Sequence, residues 1–162
     1  MDALVLGFFI VISLFGIVIV YGAPYVPTLT ADAERALDLL DLSPGQTLLE
    51  LGSGDGKMLL LAADRGIKSI GYELNPILYS FSKIRTRNNE LIEVKFGNIW
   101  KKEWPDIDGM YVFLLDRFMP RLDAKITHYY EGVSIKVVTN SFGFPDRKPK
   151  ETLKNMDLYV FD

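Results

Sequence analysis

The chain of 162 residues is 49% hydrophobic, with 18 Lys plus Arg against 21 Asp plus Glu, one His and no Cys. High apolar content and the absence of thiols exclude disordered, collagen-like and disulfide-framed classes. The charge is unevenly spread: residues 3–31 carry none, and residues 32–162 hold 18 basic and 20 acidic groups, an ordinary domain balance of −2.

Residues 3–21 read ALVLGFFIVISLFGIVIVY, with polar side-chain groups on Ser13 and Tyr21 alone. At 1.5 Å per residue, about 20 such residues cross a hydrocarbon core of about 30 Å, so the stretch predicts a transmembrane helix. A cleaved signal peptide fits less well, because no Lys or Arg precedes the run and its length exceeds an h-region. Basic residues start at Arg35, on the C-terminal side, which predicts a single-pass membrane protein with its main domain in the cytoplasm. The chain then divides into an anchor, 1–22, in contact with the lipid bilayer, and a domain, 23–162.

The two prolines of P-Y-V-P-T at 24–28 predict an extended connection. Ala33, Ala36, Leu37 and Leu40 follow helical spacing, with Asp32 and Glu34 in the first turn where the helix dipole favours anions. Ser43-Pro44-Gly45 ends this helix and leads into a strand over 47–51. Beyond it the pattern predicts a helix over 56–65, a strand over 69–73, a helix over 76–88 and a strand over 92–96. Asn75 caps the third of these helices, Pro76 opens it, and Ile77, Phe81 and Ile84 supply an apolar face. A strand over 109–115, a helix over 120–130 and strands over 134–139 and 158–161 complete the chain, with 146–154 as a solvated loop. Alternating strands and helices predict an α/β domain with a doubly wound, Rossmann-like and largely parallel sheet.

E-L-G-S-G-D-G at 50–56 falls between the first strand of this unit and its following helix. Nucleotide-type ligands bind at the carboxyl ends of such strands, where glycines allow close backbone approach and a helix N-terminus offers N–H groups. The dinucleotide fingerprint requires glycine at 57, where Lys57 stands; the glycines run 52, 54, 56 instead. Glu50 ahead of the turn is awkward beside a pyrophosphate and suits a cationic ligand. Glu73 closes the second strand, about where doubly wound folds place an acid on ribose hydroxyls. Together these features describe a site for adenosine that carries a positive group in place of phosphates, and the pattern looks like the S-adenosylmethionine site of class I methyltransferases.

The resemblance extends along the chain. P-Y-V-P-T at 24–28, the glycine loop, G-Y-E-L-N-P at 71–76, N-I-W at 98–100 and Met119-Pro120 occur in one order, after the apolar head. This resembles the membrane-anchored lysine methyltransferases that act on the ATP synthase c-subunit and the adenine nucleotide translocase, with their prokaryotic relatives. The resemblance implies that Gly52, Ser53, Gly54, Asp55 and Gly56 pass the methionine part of the cofactor S-adenosyl-L-methionine, beside Glu50, and that Glu73 holds the ribose. It implies an adenine contact at Asn98 and Ile99, although relatives usually have Asp at 98, and it implies that Tyr25 and Thr28 fold back over the cofactor. Asp116, at the carboxyl end of the fourth strand, is a second candidate catalytic residue with Tyr25; a helix cap or a surface acid is the alternative reading. The segment around Asp116 departs from the family, which puts a family role for it in doubt.

The implied activity is methyl transfer to a lysine of a membrane protein. A lipid headgroup or lipophilic molecule is an alternative acceptor, and a non-catalytic adenosine-binding module is the other reading. For lysine, with a reference pKa near 10.4, deprotonation at pH 7 costs about 4.6 kcal/mol. His128 has no spaced partner for catalysis or metal and reads as structural. Lys83, Arg85 and Arg87 read as a solvated helix end, so no nucleic-acid partner is expected. Spacing leaves Trp100 and Trp104 either under the sheet or at the membrane.

Overall fold

The computed structural model describes residues 4–6 and 26–162. The chain runs through α1 (Thr30–Leu40), β1 (Thr47–Leu51), α2 (Lys57–Asp64), β2 (Lys68–Glu73), α3 (Pro76–Thr86), β3 (Ile92–Phe96) and β4 (Gly109–Val112). A 3-10 turn (Asp116–Phe118), α4 (Met119–Tyr129), β5 (Ile135–Asn140), β6 (Glu151–Leu153) and β7 (Met156–Phe161) follow. The strands form one seven-stranded sheet in the order β3-β2-β1-β4-β5-β7-β6. β1 to β5 are parallel, and β7 runs antiparallel to both β5 and β6. The expected α/β, Rossmann-like sheet is borne out.

Central strands of such a sheet are covered on both faces and need no polar alternation. β4 is accordingly buried at all four positions, and β1 at four of five. Leu48, Tyr111 and Val138 point to one face, where Ala33, Ala36, Leu37 and Leu40 of α1 and Met58 and Ala62 of α2 cover them. Leu49, Met110 and Val137 point to the other, under Met119, Leu122 and Ile126 of α4. Each such fully buried aliphatic side chain contributes roughly 1.5–3 kcal/mol. The helical spacing of α1 is borne out by these contacts.

Four expectations are corrected. Among the described residues no helix is long and apolar enough to cross a membrane, which overturns the expected single-pass membrane localisation with a cytoplasmic domain. The helices from Thr30 onward reach at most 11 residues, about 16 Å, and each carries charge. Arg35, on which the expected orientation depends, is ion-paired with Asp32 on its own helix. The predicted span itself lies, apart from residues 4–6, outside the described residues, and with it goes the support for a bilayer contact through an N-terminal helix. The second correction concerns α3, whose apolar face turns outward: Ile77, Phe81 and Ile84 are 41%, 55% and 64% exposed, while Ser82 and Thr86 are buried. Third, 146–154 is not all loop, since it contains β6 at the sheet edge. Finally, β4 stops at Val112, three residues early, because its pairing with β5 ends at Thr139.

Candidate active site

Strand order reverses between β1, which leads outward to β2, and β4, which leads the other way to β5. Such a switch point opens a crevice at the carboxyl ends of the strands. A cavity of about 360 Å³ lies there, lined by the end of β1 and its following turn, by Tyr111, Phe113, Leu114 and Leu115 in and beyond β4, and by Ser141 and Phe142 beyond β5.

The glycine turn is built for close approach. Gly52, Gly54 and Gly56 have φ of +89°, +52° and +76°, a left-handed region that side chains disfavour. At Gly56 a Cβ would also collide with Ser82 Oγ of α3. Gly56 sits at the N-cap of α2 without a side chain to cap it, and the Asp55 carboxylate accepts from the Lys57 N–H at 3.2 Å.

Two buried acids bracket this turn. Glu73 accepts hydrogen bonds from the Gly54 N–H (2.8 Å) and the Asn75 N–H (2.7 Å), one on each carboxylate oxygen. Asn75 in turn caps α3, its Oδ1 accepting from the Ile77 N–H at 2.9 Å. Burial pushes the Glu73 carboxyl above its ordinary range, against the opposing pull of the backbone donors. Each oxygen keeps lone-pair capacity for a further donor. Glu50 lies opposite Tyr111 in the β1–β4 register and is buried, and its Oε2 has no hydrogen-bond partner. Burial, then the charges of Asp55 and Glu73, hold its carboxyl well above the usual range. Three carboxylates against one ammonium, Lys57, line the cavity, an electrostatic preference for a cation. Asp55 is partly committed elsewhere, to Arg85 Nη1 at 2.7 Å.

Of the residues singled out by sequence, Thr28, Glu50, Gly52, Ser53, Gly54 and Asp55 line the cavity, as do Glu73, Asn98 and Ile99. Asn98 Oδ1 accepts from the Trp100 N–H at 2.9 Å. Gly56 is not in the lining and instead turns the chain into α2. Asp116 is exposed at the start of the 3-10 turn, outside the lining, so the geometry does not bring it to the other candidates. Tyr25 lies outside the described residues. His128 is exposed, and Trp104 is buried against Tyr130, with Lys125 Nζ 4.3 Å from its ring centroid.

Sequence reasoning missed Lys57, Tyr111, Asn140, Ser141 and Phe142. Lys57 Nζ donates to the Thr28 carbonyl at 2.7 Å, and Asn140 Nδ2 donates to the Tyr111 hydroxyl at 3.1 Å. A turn signal after the fifth strand, N-S-F-G-F-P at 140–145, marked the place but not the role.

Residues 50–151 match the family profile described as ANTKMT methyltransferase domain. The lysine N-methyltransferase of the ATP synthase c-subunit from Rattus norvegicus is 31% identical over 132 residues, 80% of this chain and 60% of the relative. The adenine nucleotide translocase lysine N-methyltransferase of Mus musculus is 31% identical over 130 residues, 78% of this chain and 56% of the relative. The chain thus spans little more than half the length of these curated relatives. An RNA methyltransferase from Salinibacter ruber, solved with S-adenosyl-L-homocysteine, shares the fold with a TM-score of 0.74 and 23% identity, over 84% of this chain and 92% of the other.

Proposed function

We propose that this chain, which belongs to the family of the ANTKMT methyltransferase domain, is an S-adenosylmethionine-dependent protein-lysine N-methyltransferase whose acceptor is a lysine of a membrane protein. The observation that carries the reading is the pair of buried acids, Glu50 and Glu73, on either side of a left-handed glycine turn at the switch point. Relatives named for the ATP synthase c-subunit and for the adenine nucleotide translocase support the acceptor class.

The residues present fit the cofactor. An orphaned buried carboxylate oxygen on Glu50 suits a cationic ligand, and an orphaned Ser53 Oγ offers it a further polar contact. Glu73, held by two backbone donors, is pre-oriented to accept ribose hydroxyls, and Asn98 and Ile99 form the wall assigned to adenine. Bound there, the cofactor supplies an electrophilic methyl on a sulfonium, so the protein chiefly supplies orientation. Val26, Thr28 and Phe142 contribute to the cavity lining, and apolar lining limits water around an entering amine. A desolvated amine favours its neutral, nucleophilic form. Asp116, exposed and outside the cavity, is assigned no proton transfer in this reading, and Tyr25 retains the place over the cofactor that the family resemblance gives it. The net charge of −3 offers no electrostatic footprint for RNA, so the acceptor named for the Salinibacter enzyme is not carried over.

The test is calorimetric titration of the full chain with S-adenosylmethionine, followed by transfer of labelled methyl into membrane-protein and lipid fractions. Binding by wild type, its loss in Gly54→Arg and Glu73→Ala, and label on protein lysine are expected. No binding by wild type refutes the cofactor, and label in lipid alone refutes the acceptor.

A further inference from the structure

Residues 26–29 run as irregular chain before α1, and Val26 and Thr28 contribute to the cavity lining. Two ties hold this strap. Lys57 Nζ donates to the Thr28 carbonyl at 2.7 Å, and Thr28 Oγ1 lies 3.5 Å from the Tyr111 hydroxyl. Tyr111 is 1% exposed and belongs to β4, 83 residues further along the chain.

The Tyr111 hydroxyl in the second tie is itself held by a neighbour. Asn140 Oδ1 accepts from Asn155 Nδ2 at 2.6 Å and from Ser141 Oγ at 3.0 Å. An amide has one acceptor end, so two donors on Oδ1 fix the Asn140 NH2 toward Tyr111, to which it donates at 3.1 Å. The Tyr111 oxygen is then an acceptor for Asn140, and it keeps a proton and a second lone pair with which to meet the Thr28 hydroxyl. The result is a connected chain, Asn155 to Asn140 to Tyr111 to Thr28, that runs from the β6–β7 turn to the strap. Tyr111, the third member of the chain, stands opposite Glu50 in the β1–β4 register.

We propose that Tyr111 is a positioning residue that latches the strap of residues 26–29 over the cofactor cavity, with Asn140 as the group that aims its hydroxyl. The proposal rests on the reading of the cavity as a cofactor site. A tyrosine wholly within the core needs only its ring, and phenylalanine would serve; here the hydroxyl contributes by joining two segments that no strand pairing connects. Removing it leaves the Asn140 NH2 and the Thr28 hydroxyl without this partner and loosens the strap, which the Lys57 tie alone then holds.

The experiment uses the full chain, with S-adenosylmethionine as titrant and amide hydrogen exchange on the ligand-free protein. Tyr111→Phe and Thr28→Val each weaken cofactor binding about three- to tenfold, the equivalent of one hydrogen bond. The double variant is no weaker than the worse single one, because both remove the same contact. Thr28→Ser, which keeps the hydroxyl, retains wild-type affinity. In Tyr111→Phe the Thr28 and Leu29 amides exchange faster while those of β4 do not. Additive losses, or unaltered strap exchange in Tyr111→Phe, overturn the latch. Should Tyr111→Phe fail to fold, the Thr28→Val and Thr28→Ser pair decides, equal affinity in the two overturning it. Absence of binding by wild type refutes the cofactor reading instead, and the exchange result still decides the latch.

Discussion

Substituting Glu50 by Gln tests whether the buried acid is kept for a cation at the expense of stability. The folded carboxyl titrates well above its ordinary value of 4.5, with burial the largest cause and the charges of Asp55 and Glu73 next. Between 4.5 and the raised value, the unfolded chain has released a proton that the folded protein still holds. Stability from this group is therefore fully present below the ordinary value and is lost as pH rises through the folded one. The loss is at most about tenfold in the folding constant per pH unit. Glu73, also raised by burial, adds a change of the same sign that persists in the variant. Gln is neutral at every pH and nearly the same shape, so Glu50→Gln removes the Glu50 component. Above the folded value the variant is expected to be more stable than wild type by about 1.4 kcal/mol for each pH unit that separates the folded value from the ordinary one, since Gln meets the same surroundings and only the glutamate ionises. It should at the same time bind S-adenosylmethionine more weakly. Urea unfolding of both proteins at a series of pH values, from the ordinary carboxylate range upward, measures the difference directly. Parallel stability profiles, or a wild type that is more stable at the alkaline end, would refute the reasoning.

Gly56→Ala meets both a left-handed φ and Ser82 Oγ, and is expected to destabilise by more than about 1 kcal/mol, measured by urea unfolding. Adding Ser82→Ala should recover only the part due to the collision. Phe144→Ala removes a ring packed edge-on against Tyr159 and Phe161 and should cost about 3–5 kcal/mol in the same assay. Ile84→Lys, on the exposed face of α3, is expected to change stability by no more than about 0.5 kcal/mol; a larger loss would mean that this face is covered in solution.

The parts of the site that sequence disclosed are those whose chemistry is local. Three glycines and an acid within seven residues, followed by an acid at the end of the next strand, identify themselves without knowledge of packing. Tyr111 does not, because a tyrosine within an unbroken apolar strand has the same pattern whether its hydroxyl is used or idle. Periodicity shows that α3 has an apolar stripe but not which way it turns. Gly56 decides that: α3 comes so close to the start of α2 that only the small Ser82 and Thr86 fit between them, and the larger apolar residues turn outward. β6 escapes a sequence reading because all three of its residues are exposed, so an edge strand there carries no hydrophobic signal. The membrane assignment fails for a related reason, since hydropathy alone is asked to supply both a helix and its placement.

The antiparallel β7 is joined to β5 without a crossover helix, and residues 141–150 take that helix's place. Phe144 covers Tyr159 and Phe161, and Arg147 lies 3.9 Å over the Phe161 ring while paired with Asp123 of α4. The same stretch begins with Ser141 and Phe142 in the cavity wall. Surface loops usually accept insertions, tags and labels, but lengthening this one would shift roof and wall together. A reporter group is better placed in the exposed turn at residues 131–133, where Gly132 faces open space. Changes to this part of the cavity wall, by contrast, are best made as point changes at 141 and 142, with the chain length between β5 and β6 left as it is.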